Sequence, residues 1–415
     1  MLKVFSRFID SGTVPPRADS VSILDAGCGV GVLGICAAAT LADLPGFSGA
    51  VYVRAQDRDE LARIFTEHNA RQNGLSAECL TAHAEPLLAG TTGRVGEGTP
   101  WDIILSNIPA KAGRPVLQDF VRRSAACLKP GGLVFLVAVN TLADFFRSCI
   151  AAAGANLVRE ERGKEHSVFV YGSSAQSIPP ILFSETFPHD YPFYIRKHGT
   201  YQMEGIPYRL DTIHGAADFD NPGGAVQAAA KLAVKLHLAG KLPDDSAAPA
   251  LHIHDDAGQG HFALWLAHYL AGDAHNRAFR WLLSGRNVLA LAATLAMLAS
   301  TPPPIAEAAD VLWRGEALST IPLADISLDR ERLVAAAPFA LTAFFPQTLN
   351  ADAWQGLAAL SASDGIVITS APSTEAERFD RKKPAGWLRL GDIKRQGFRA
   401  LAYQARPPIK RMVLR

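Results

Sequence analysis

Three short segments of this 415-residue chain carry residue types that could hold and act on a nucleotide-like ligand. In Asp25-Ala26-Gly27-Cys28-Gly29-Val30-Gly31 an acid precedes glycines at every second position. Glycine admits positive φ and a close approach of backbone to ligand, both of which a Cβ forbids. Dinucleotide-binding folds and plain tight turns use similar spacing, so the segment specifies a turn first and a ligand only in context. In Asp57-Arg58-Asp59 the first acid can hold two ribose hydroxyls, or it can cap the helix that follows; the two roles are compatible. The third segment is Ser106-Asn107-Ile108-Pro109-Ala110-Lys111-Ala112-Gly113, where Asn107 is either a turn former near proline or a polar group at the edge of a ligand site.

The elements around these residues supply the context. Residues 21–25 form a short apolar run that reads as a strand, followed by the glycine turn and an alanine-rich helix over 32–41. Further strands are predicted at 50–55, 78–82, 102–106 and 133–139, the last after the Lys129-Pro130-Gly131-Gly132 turn. A helix over 60–72 ends at Asn73-Gly74, a suitable cap. Strands alternating with helices imply a parallel sheet wound on both faces, whose ligands sit at the carboxyl ends of the strands. Asp25, Gly27, Cys28, Gly29, Gly31, Asp57, Arg58 and Asn107 all fall at that edge, as does His83-Ala84-Glu85, where such folds contact an adenine.

The glycine segment through Gly34, taken with the Asn107 segment at this spacing, resembles the methyltransferase small domain family, which includes ribosomal RNA guanine-N2 methyltransferases. The resemblance implies a Rossmann-like class I methyltransferase domain with S-adenosylmethionine (SAM) as cofactor and no metal. It implies cofactor contacts from Asp25, Gly27, Cys28, Gly29, Gly31, Asp57, Arg58, Ala84 and Asn107. The Asn107 side-chain oxygen and the Ile108 carbonyl would accept the hydrogens of an exocyclic base amine, with Pro109 stiffening the loop. Ala110 and Lys111 would face the substrate, implied to be RNA with guanine N2 as acceptor. Many relatives carry a base-stacking aromatic where this chain has Ala110, so another residue supplies that platform or the acceptor is a protein amide or a small metabolite. A chain that only binds SAM as an assembly factor is a further reading.

The second half reads as a damaged repeat of the first, giving two tandem Rossmann-like domains: 1–172 catalytic, 173–195 a linker, 196–415 degenerate. Asp256 to Gly260 is matched with Asp25 to Gly29, which places Phe262 at Gly31, Gly285 at Asp57 and Phe344 at Asn107. A helix is expected over 225–238. His252, His254 and His261 lack cysteine or paired carboxylates at ligand spacing and read as structural histidines.

Bulk composition narrows the class. Hydrophobic residues at 48% and charged at 20% are those of an ordinary globular chain, and a length of 415 residues exceeds what one core usually serves. The apolar run 288–299 is too short for a membrane span and reads as a buried helix. Five cysteines without a CxxC pair argue against a disulfide framework or zinc site, and the N-terminus shows no signal-peptide core, so a cytoplasmic protein is expected. A net charge of +1 gives no global attraction to nucleic acid, leaving RNA binding to local patches.

Overall fold

The computed structural model describes all residues except 13–19, 90–100, 176–177, 179–186, 217–219, 243–248, 257, 274–278, 300–336 and 406–415. The chain divides into two compact units, Met1–Ser184 with Asp190–Tyr194, and Glu185–His189 with Ile195–Arg415. The stretch read as a linker therefore returns to the first unit for 190–194. Aromatic side chains explain the return: Tyr194 is buried and Phe193 lies beneath the Arg123 guanidinium, 5.8 Å away.

The first unit holds a seven-stranded sheet ordered β3-β2-β1-β4-β5-β7-β6. Its strands are β1 Ser20–Ala26, β2 Ala50–Asp57, β3 Leu80–Ala84, β4 Trp101–Asn107, β5 Leu128–Val139, β6 Leu157–Arg162 and β7 His166–Gly172. The first five run parallel, and β7 is antiparallel to both its neighbours. Helices α1 Leu2–Asp10, α2 Val32–Ala42, α3 Glu60–Gln72, α4 Arg114–Ala126 and α5 Ala143–Ala152 accompany the sheet. Val21, Ile23, Leu24 and Ala26 are all buried, so β1 is covered on both faces, as a central parallel strand must be. β3 starts at Leu80 rather than at the expected residue 78, because Cys79 and Leu80 both donate backbone N–H bonds to Ser76 O at 3.0 Å and hold a turn there. β5 starts five residues before the expected 133, with an irregular register against β4 where the glycine turn enters the sheet.

In the second unit the described strands form a six-stranded sheet ordered β11-β10-β12-β13-β15-β14 and a separate hairpin, β8 Ile195–Met203 with β9 Ile206–Ile213. The sheet strands are β10 Ala250–Asp255, β11 Arg280–Ser284, β12 Phe339–Phe345, β13 Ser361–Pro372, β14 Trp387–Arg395 and β15 Phe398–Ala405. Their order repeats the path β2-β1-β4-β5-β7-β6 of the first unit, as a tandem repeat requires. Helices α6 Gly224–Lys235, α7 His261–Asp273, α8 Val288–Ala299, α9 Ala353–Leu360 and α10 Ser373–Arg381 complete the described elements. α6 stops three residues short of the expected 238 because His237 adopts φ 48°, a left-handed turn that no α-helix continues through.

Candidate active site

The glycine loop of the first unit leaves β1 at Ala26 and enters α2 at Val32. Gly27, Gly29 and Gly31 all have positive φ, 78°, 56° and 85°, but for different reasons. A Cβ on Gly29 would meet nothing within 4 Å, whereas one on Gly31 would lie 2.9 Å from Thr66 Cγ2. Gly29 thus leaves an open face for a ligand, while Gly31 is glycine because α3 packs against it. The loop N–H groups are spent internally: Gly27 and Cys28 donate to Gln56 O at 2.8 and 2.9 Å, and Gly31 donates to Cys28 O at 2.9 Å. Gly29 N donates to Asp57 Oδ2 at 3.0 Å. A dinucleotide fold aims such groups at a pyrophosphate; this loop does not.

Asp57 ends β2 with both carboxylate oxygens fixed, Oδ2 by Gly29 N and Oδ1 by Asp59 N at 3.0 Å. Helix capping falls instead to Asp59, whose Oδ1 accepts from Leu61 N at 2.9 Å. Each Asp57 oxygen keeps a lone pair for a ligand hydroxyl. Arg58 is half-buried in the same turn, and Ala84 pairs with Asp57 across β2 and β3. Asp25 is fully buried beneath the loop; its Oδ2 accepts from Gly34 N at 2.7 Å, while Oδ1 has no hydrogen-bond partner. Burial pushes its carboxyl up to about 7, and the charge of Asp57 adds to the shift. Cys28 turns inward, its Sγ 3.4 Å from Thr66 Oγ1, and burial raises its thiol well above the ordinary range.

β4 carries the third segment. Asp25 pairs with Leu105, so Asn107, two residues on, comes level with Gly27. Ser106 Oγ donates to Ala26 O at 2.7 Å and ties the two strand ends together. Asn107 is exposed, Ile108 buried and Pro109 exposed; a 3₁₀ turn at Ala110–Ala112 follows, its end fixed by Ala112 N donating to Pro109 O at 2.9 Å. Ala110 and Lys111 are both exposed on this turn.

Several positioning residues escape the sequence reading. Thr66 Oγ1 donates to Gly29 O at 3.0 Å, and Asn69 Nδ2 donates to Val30 O at 2.9 Å, so one face of α3 braces the loop. Gln56 is fully buried; its amide nitrogen donates to Glu85 Oε1 and Ala89 O, and its oxygen accepts from Leu88 N at 3.1 Å. Arg54 pairs with Glu85 at 2.8 Å, so the segment after β3 is pinned to β2. His83, pushed down to about 4 by burial and then by Arg54 and Arg63, is neutral at physiological pH. Only the i, i+3 spacing of Thr66 and Asn69 is visible in sequence, and it identifies a face without saying what the face meets.

The second unit corrects the expected register of the repeat. Gly260, at φ 86°, immediately precedes α7 just as Gly31 precedes α2, and a Cβ on Gly260 would collide with Thr294 as one on Gly31 would meet Thr66. Thr294 and Thr66 are each the seventh residue of their helices. Gly260, not Phe262, therefore stands in the place of Gly31, and Phe262 is a fully buried core residue one position into α7. Likewise Asn107 is the last residue of β4, whereas Phe344 lies one residue before the end of β12 at Phe345, so Phe344 does not stand in the place of Asn107. Three glycines at every second position allow the motif to slide by two, and sequence alone gives no means of choosing. Gly285 does occupy the place of Asp57. A Cβ there would run into the backbone oxygen of Asp255, so no acid fits. Asp255 also folds its carboxylate over Gly258, accepting its N–H at 2.7 Å, and fills the space that lies open at Gly29.

His252, His254 and His261 are buried and bonded within the second unit. His252 and His254 lie 2.7 and 2.9 Å from Ser284 Oγ, and His261 lies 2.8 Å from Tyr208 OH. Among the described residues no group of three His, Cys, Asp or Glu side chains is placed to hold a metal ion. No described helix is long and apolar enough to cross a membrane.

A sheet of this order with one antiparallel strand, a glycine loop after its central strand, an acid ending the next strand and an asparagine ending the fourth define a class I methyltransferase domain. Residues 10–151 match the model of the methyltransferase small domain family. Over 138 residues the chain is 31% identical to the ribosomal protein L11 methyltransferase of Herpetosiphon aurantiacus, covering 28% of this chain and 36% of that protein. The chain thus spans about a third of the length of this curated relative. Among solved structures it is similar to the T. thermophilus 16S rRNA N2 G1207 methyltransferase in complex with AdoMet and guanosine. The TM-score is 0.57 at 14% identity, covering 93% of this chain and 88% of that one, a likeness of fold.

The residues present fit SAM. Asp57 has acceptors left for ribose hydroxyls, open space lies beside Gly29, and the unpartnered Asp25 oxygen, when ionised, offers negative charge to a cofactor that carries positive charge.

Proposed function

We propose that the chain is an N-methyltransferase acting on an exocyclic base amine, guanine N2 of ribosomal RNA. The observation that carries this reading is Asn107-Ile108-Pro109 at the end of β4, level with the glycine loop and tied to it through Ser106 and Ala26. Asp25, Asp57, Arg58, Ala84 and the loop from Gly27 to Gly31 hold the cofactor, which supplies an electrophilic methyl group when bound. An exocyclic amine is a poor nucleophile because its lone pair is delocalised into the ring. Asn107 Oδ1 and the Ile108 carbonyl accept its two hydrogens, which localises the lone pair and aims the nitrogen. The trans Ile108–Pro109 bond and the following 3₁₀ turn hold those acceptors in place. Lys111, exposed one residue past Ala110, is available to a phosphate of the substrate. The fold likeness to a 16S rRNA N2 methyltransferase supports the RNA acceptor. Such a substrate would place the chain in ribosomal RNA processing in the cytoplasm.

A second reading has a specific observation behind it. Ala110 supplies no base-stacking ring at its position, and the 31% relative is named for methylating a ribosomal protein; a protein acceptor would need no such ring. Incubating the chain with methyl-labelled SAM and undermodified ribosomal subunits, then separating RNA from protein, decides between them. Label in N2-methylguanosine supports the RNA reading, and label in protein alone overturns it.

A further inference from the structure

The second unit contains a groove of about 890 Å³, formed where the β8–β9 hairpin packs against α7 and α8. That volume lies within the range of ligand-binding clefts. His189, His198, Thr200, Tyr208, Arg209 and His268 contribute to its walls. We propose that this groove binds a single-stranded segment of RNA, a reading that rests on the RNA acceptor proposed above. The argument begins with charge. Arg209 is exposed and pairs with Thr200 across the hairpin, and among the described residues no acid forms an ion pair with it. The neighbouring acid, Asp211, is already engaged by His198 Nδ1 at 2.8 Å. The groove therefore presents one uncommitted guanidinium beside a hydroxyl, a pairing that suits a phosphate oxygen.

The remaining walls are planar. Tyr208 is buried and held by its hydroxyl contact with His261 Nδ1, so it offers no ring face, whereas the imidazoles of His189 and His198 are exposed along the groove. His268 of α7 is partly buried, and burial lowers its pKa, so its ring enters the groove uncharged at physiological pH. Imidazole rings are surfaces on which unpaired bases stack, and single-stranded RNA is recognised by this combination of ring faces and a cation for the backbone. A double helix keeps its bases stacked on one another and could not use the rings.

Anisotropy of a fluorescent twelve-nucleotide single-stranded RNA, titrated with the full chain over a range of salt, tests the inference. Arg209→Ala should weaken binding five- to tenfold and reduce the slope of log affinity against log salt by about 0.7, the value for one phosphate contact on a single strand. Arg209→Lys should restore the slope. His268→Ala should weaken binding several-fold and leave the slope unchanged, since it removes a ring and no charge. Both alanine variants should raise KM for RNA in methyl transfer and leave kcat intact. Wild-type affinity and slope in both variants would overturn the groove while leaving the RNA acceptor standing; a wild-type chain that methylates only protein and binds no RNA would overturn both.

Discussion

Replacing Asp57 by alanine should weaken SAM and S-adenosylhomocysteine binding to the same degree, about 10²-fold. The structure fixes the size of the effect. Both oxygens of the carboxylate are held by backbone N–H groups, from Gly29 and Asp59 at 3.0 Å each, so the side chain is oriented before a ligand arrives and loses little freedom on binding. Hydrogen bonds to a charged acceptor contribute about 1.5–3 kcal/mol. About 3 kcal/mol for the pair of ribose hydroxyls corresponds to roughly a hundredfold, since each 1.4 kcal/mol is a factor of ten. Asp57→Asn keeps one acceptor oxygen and should cost about tenfold. Because the ribose is common to both ligands, the ratio of the two affinities should stay constant while each falls. Loss of the Gly29 N–H partner should also lower the melting temperature of the unliganded chain. Calorimetry with both ligands measures all of this. Affinities within twofold of wild type in Asp57→Ala, or a selective loss of one ligand, would refute the assignment.

Asn107→Ala should leave SAM affinity within about twofold and lower kcat by about 10²-fold, the scale for loss of one preorganised polar contact; single-turnover methyl transfer separates the two effects. Asp25 gives a pH dependence. Its folded-state pKa, about 7, lies above the ordinary 3.8, so it is neutral below pH 7 and charged above. A cationic cofactor favours the charged form, so SAM affinity should rise between pH 6 and 8 and level off beyond. The same shift makes unliganded stability fall as pH rises from about 4 to 7, because the folded state keeps a proton that the unfolded state has released. Asp25→Asn should flatten both profiles. The intact chain should bind one SAM, and Gly285→Asp should not create a second site. It should instead destabilise the second unit by about 1–3 kcal/mol, since its Cβ meets the Asp255 carbonyl; equilibrium denaturation and a calorimetric stoichiometry check the pair of outcomes.

Much of the first unit was legible because its signals are local. Apolar runs ending in an acid, glycines where the backbone must turn back, and a capping acid ahead of an amphipathic helix put β1, α2, β2 and α3 within two residues of their positions. Asp57 and Asn107 were found as candidates because strand ends are where this topology gathers side chains. The sequence reading gave a possible cap of α3 to Asp57; the hydrogen bond from Leu61 to Asp59 gives it to Asp59 instead. Sequence could not expose Gln56, Thr66, Glu85 and Ser106, whose partners lie 29 to 80 residues away and whose roles exist only once the elements are packed.

The second unit separates the two kinds of information most clearly. Its descent from the same fold was legible, because alternating strands and helices repeat in the same order. Its register was not, because a Gly-x-Gly pattern matches itself when shifted by two residues and the apolar strand beside it tolerates the shift. Only the packing of Gly260 on Thr294 and the end of β12 at Phe345 choose between the alternatives. Contacts between residues distant in sequence are what define a register, and they are absent from any single segment.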